Sequence, residues 1–91
     1  MPLDTTQTQP GLTVTDVKGV PSSRRQSVAE AVIAAGSSLA DAHEAWVVPA
    51  RKPPAFSVRI VGPRGFYREV QFSGAETAAD IEHRIRTAVQ R

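Results

Sequence analysis

Between Phe56 and Phe72 the sequence admits one well-matched hairpin register, and that register constrains everything around it. Phe56, Val58 and Ile60 alternate with Ser57, Arg59 and Val61, the period of a strand with one dry face. Phe66 to Phe72 is aromatic and β-branched enough for a second strand, and Gly62-Pro63-Arg64-Gly65 between them holds turn-forming residues. A four-residue loop would set Val58 against Glu69 and Phe56 against Gln71, mixing apolar and polar groups on both faces. A three-residue loop, with Pro63 opening a type I turn and Gly65 left-handed as a bulge, sets Phe56 opposite Phe72 and Val58 opposite Val70. On the other face Arg59 then meets Glu69, and Val61 meets Tyr67. A slip of one residue would turn every side chain over, so the agreement of turn and faces selects this register.

The residues that follow read as a helix. Ser73-Gly74-Ala75-Glu76 has capping-box spacing, which starts the helix near Gly74. Ala78, Ile81, Ile85 and Val89 form one apolar stripe, with Asp80 four before Arg84 and Glu82 four before Arg86 on its flanks. A hairpin with one apolar face and a helix with one apolar stripe should pack together.

Ahead of this unit, residues 1–10 are mostly Thr, Gln and Pro with little to bury and read as a flexible N-terminal tail. Leu12-Thr13-Val14-Thr15 alternates and suits a short edge strand, ended by Gly19 and Pro21. Ser23 and Gln26 again have capping-box spacing, Val28, Val32 and Ala35 share a stripe, and Gly36 reads as the residue just past the helix end. A second start follows: Ser38 lies three before Asp41, and Leu39, Ala42 and Trp46 recur at helical spacing until Pro49, although Trp46-Val47-Val48 would equally begin a strand. The fold class expected is a small single α+β domain over residues 11–91. It has two short helices, an antiparallel β-hairpin in a sheet of two to four strands, and a C-terminal amphipathic helix.

Ninety-one residues suffice for one small core. The absence of cysteine removes disulfides, thiolate metal sites and thiol nucleophiles, and fits a cytoplasmic protein; no apolar run is long enough to span a membrane. Support for catalysis is thin. His43 and Glu44 are adjacent, but Val47 stands where a zinc-protease motif needs its second histidine, and His83 near Asp80 lacks further ligands. No cofactor, no metal and no enzymatic activity are expected.

Binding remains. If one sheet face packs on helices, Arg59, Val61 and Tyr67 stand on the other, and Tyr with Arg is what interface centres favour. A protein partner or self-association as a homodimer through that face is the leading expectation. The alternative is nucleic acid, held by Arg59 and Tyr67 together with Arg24, Arg25, Arg51, Lys52 and Arg64. The net charge of only +2 argues for the first.

A helix, then strands, then a hairpin leading into a helix is similar in order to the double-stranded RNA-binding domain. In that family a lysine cluster opens the last helix, whereas this chain reads Ser73-Gly74-Ala75-Glu76-Thr77-Ala78-Ala79-Asp80 there. The resemblance therefore implies fold order and not function. Arg24 to Val48, divided at Gly36, also has the outline of a helix-turn-helix, but Ser37 follows the turn glycine where an apolar residue normally sits.

Overall fold

The computed structural model describes residues 11–90; the expected tail over residues 1–10 lies outside the described residues. The elements are β1 (Gly11–Val17), α1 (Ser22–Ala35), β2 (Ala42–Pro49), β3 (Phe56–Val61), β4 (Tyr67–Phe72) and α2 (Ala78–Val89). They form one compact α+β domain with two helices and a four-stranded sheet ordered β1-β2-β3-β4.

The hairpin has the register read from its sequence: Phe56 pairs with Phe72, Val58 with Val70, Arg59 with Glu69 and Val61 with Tyr67. The two phenylalanine rings stack at 5.2 Å on the inner face. The turn differs in one detail. Arg64 as well as Gly65 has positive φ, 59° and 76°, so Arg64-Gly65 form the centre of a primed turn closed by the Phe66 N–H donating to the Pro63 carbonyl at 3.2 Å. The bulge lies just before it, where the Gly62 N–H donates to the Phe66 carbonyl at 3.1 Å, so Gly62 and Pro63 both face Phe66. Loop length is unchanged, and with it the register.

The first correction concerns residues 38–49, expected as a second short helix, of which Ala42–Pro49 form strand β2. Its burial alternates, with His43, Ala45 and Val47 inside and Glu44, Trp46 and Val48 outside. The Ala42 to Trp46 spacing mimicked a helix stripe, but β2 is bonded on both sides: parallel to β1 and antiparallel to β3. Two ladders and a run of Trp and Val outweigh a weak helical pattern. The sheet is consequently mixed, and a strand in the place of the second helix also excludes the helix-turn-helix outline. The parallel β1–β2 pair needs a crossover, and α1 supplies it.

The second correction concerns helix starts. α1 begins at Ser22 after Pro21 with no side-chain cap, and Gln26 bonds Glu30 at 3.0 Å instead of closing a box with Ser23. α2 begins at Ala78, where Thr77 and Asp80 form the reciprocal capping box. Asp80 is thereby occupied, and the Arg84 guanidinium goes to Glu76 at 3.3 Å and over the Phe72 ring at 4.6 Å. The Glu82–Arg86 pair forms as expected.

Both helices lie on one side of the sheet, α1 on β1, α2 on β4, and each against the other. The core between the layers holds Val28, Val32 and Ala35 of α1, Ile81, Ile85 and Val89 of α2, and the inner faces of β2, β3 and β4.

Candidate interaction surface

Strand alternation decides what the helix-free face presents. The pairing sets Glu44, Val61 and Tyr67 in one row, Asp16, Trp46, Arg59 and Glu69 in the next, and Val48, Ser57 and Gln71 in the third. Tyr67 is half exposed, Trp46, Val48 and Val61 are partly exposed, and Ser57 is buried. Trp46 is a diagonal neighbour of Val61, which faces Tyr67, and Val48 lies two along the strand from Trp46. These four make a continuous apolar band across three strands, because diagonal and direct cross-strand neighbours are within reach of aromatic side chains.

Polar groups flank the band. Arg59 reaches Glu69 at 3.6 Å, and the Tyr67 hydroxyl donates to Glu69 at 3.4 Å. The face is thus an apolar strip edged by the Arg59–Glu69–Tyr67 group, which is satisfied within itself, and by Glu44, an exposed carboxylate opposite Val61.

Arg59, Val61 and Tyr67 therefore share one surface, as expected. Trp46 and Val48 belong with them and were missed, because the helical spacing of Ala42 and Trp46 put the tryptophan on a core stripe. The signal that would have found them is the alternation of His43, Ala45 and Val47 against Glu44, Trp46 and Val48.

The residues expected to grip nucleic acid do not form a single surface with the sheet face. Arg64 sits in the β3–β4 turn, paired with Asp41 at 2.8 Å. Arg24, Arg25, Arg51 and Lys52 lie at the other end of the sheet. Arg24 spans from α1 to the β4–α2 connection, donating to the carbonyls of Gly74 at 2.8 Å and Glu76 at 2.7 Å. Arg25 donates to the Val17 carbonyl at 2.6 Å, and Arg51 and Lys52 stand exposed between β2 and β3.

The two histidines differ in their surroundings. His43 is buried on the inner face, its Nδ1 at 2.8 Å from the Asp41 carbonyl and its ring edge-on to Phe66 at 5.0 Å. His83 is exposed on α2, beside a shallow groove of about 400 Å³ between α2 and β4. Among the described residues no group of three His, Asp or Glu could hold a metal ion, and no helix is long and apolar enough to cross a membrane.

Comparison with known proteins finds no family model, no curated relative and no solved structure that matches the chain.

Proposed function

We propose that the protein is a small non-enzymatic binding module that acts through protein–protein contacts on the helix-free face of its sheet. The observation carrying this reading is the position of the helices: with both on one side, Trp46, Val48, Val61 and Tyr67 remain contiguous on the other. Aromatic anchors within an apolar strip, surrounded by a polar rim, match the anatomy of protein interfaces.

The size of the face bears on the kind of partner. Strands about 4.8 Å apart and about 20 Å long make a four-stranded face of roughly 400 Å², against about 800 Å² per partner in a standard interface. A partner covering only the sheet, a second copy included, would bind transiently; a tighter one must also engage the surrounding loops.

A photoreactive phenylalanine analogue placed at Tyr67, and separately at exposed Ile33 on the helix side, tests the proposal in the cells that make the protein. Crosslinks from position 67, absent from position 33 and abolished by Trp46→Glu in a variant that keeps its fold, are expected. No adduct from position 67, or equal adducts from both positions, overturns the reading.

A further inference from the structure

Charge pairing divides the molecule. Lys18, Arg59, Arg64, Arg84 and Arg86 each contact a carboxylate, and Arg68 lies over the Phe66 ring with its Nε on the Ala88 carbonyl. Arg24 and Arg25 are different: they are held by backbone carbonyls alone, which fix their position without cancelling their charge. Arg51 and Lys52 contact no carboxylate among the described residues.

These four cations are brought to the same end of the fold. A β-carbon on Gly74 would fall 2.5 Å from the Pro54 carbonyl oxygen, and one on Gly19 would fall 2.6 Å from Pro49. The β2–β3 connection bearing Arg51 and Lys52 thus touches the β4–α2 connection, on which Arg24 is fastened, and the β1–α1 link lies beside them. α1 starts at this end too, with no acid in its first turn, so its dipole adds to the positive field.

We infer that this end of the molecule is a second interaction surface, separate from the sheet face, which holds the phosphate backbone of nucleic acid without reading its sequence. The exposed Arg51 guanidinium matches phosphate oxygens in planar, paired hydrogen bonds. Arg24 and Arg25, whose forks already bond carbonyls, add positive charge beside it, and cations on two separate segments suit an extended chain of charges better than a single small anion. Among the described residues the aromatic rings at that end, Phe56 and Phe72, are buried and offer no platform for base stacking. The exposed large apolar side chains among the described residues, Ile33 and Tyr67, lie toward the opposite end of the elements that carry them.

The test is fluorescence anisotropy of labelled twenty-nucleotide strands, single and duplex, with the full chain at rising salt. Four phosphate contacts predict that log Kd rises with log salt with a slope of about 3 to 4. Arg51→Gln with Lys52→Gln, both exposed, should lower that slope by about 2 and weaken binding about tenfold or more near 0.1 M salt. Arg64→Gln and Trp46→Ala should leave it unchanged. Absence of binding near 50 mM salt, wild-type affinity in the double variant, or tighter binding to phosphatidylserine vesicles than to either oligonucleotide overturns the inference.

Discussion

Gly36 lies directly against Leu12: a β-carbon on the glycine would fall 2.4 Å from the leucine's own. The glycine has φ −100°, so it is not needed for a left-handed helix end. It lets the end of α1 close on β1, where Leu12 is buried. Gly36→Ala should therefore destabilise the domain by about 1–3 kcal/mol through overpacking. Removing the obstacle tests the cause: in Leu12→Gly, which takes away the β-carbon that alanine would keep, the added penalty of Gly36→Ala should shrink by about 1 kcal/mol or more. Strictly additive losses in denaturant melts would show that the contact is not responsible.

Glu76 carries the pH dependence. Only 17% of its side chain is exposed, and burial pushes its carboxyl up; the amides of Ser73, Gly74 and Glu76 itself, with the Ser73 hydroxyl, more than reverse this and hold it below the ordinary value of 4.5. A carboxyl that titrates lower in the folded than in the unfolded chain stabilises fully above the unfolded value, and the contribution disappears as pH falls through the folded one. Glu76→Gln should cost about 1–2 kcal/mol at neutral pH, the scale of charge-assisted hydrogen bonds. The gap between the variant and the parent should narrow as pH falls below 4.5. A gap independent of pH would remove the carboxylate from this role.

Arg64 occupies the left-handed region with φ 59°, a conformation that costs a side chain such as arginine about 1 kcal/mol. Its compensation is the exposed pair with Asp41, and such pairs contribute about 0–1 kcal/mol. Arg64→Asn, which makes the turn Asn-Gly, should match or exceed the parent's stability by up to about 1 kcal/mol in thermal and denaturant unfolding. A loss larger than about 1 kcal/mol would show that the link to Asp41 outweighs backbone strain.

How far the sequence could be read depended on the range of the forces involved. The hairpin pairing of Phe56 with Phe72 rests on neighbours in sequence: a short turn and an alternation that one slip would invert. The stripe Ile81, Ile85, Val89 is equally local. Ser73 and Glu76 do bond to one another, at 2.9 Å from the Ser73 amide, but as a turn ahead of the helix; the same spacing at Thr77 and Asp80 does the capping. Two consecutive boxes have the same spacing, and the later one starts the helix whose Ile81 and Ile85 pack into the core.

The sequence by itself determined the hairpin, its register and the dry face that contains Phe56, Val58, Val70 and Phe72, because each follows from one short turn and the alternation on either side of it. Only the tertiary structure decided that residues 42–49 are a strand, since one of the two ladders that make them one comes from β1, across the whole of α1, and the connection to β3 lacks the turn signal that fixes the β3–β4 hairpin. That decision turned Trp46 from a core residue into the centre of the open face. It also separated Arg64 from Arg24, Arg25, Arg51 and Lys52, because a strand order places opposite turns at opposite ends of a sheet, which no local pattern of charges records.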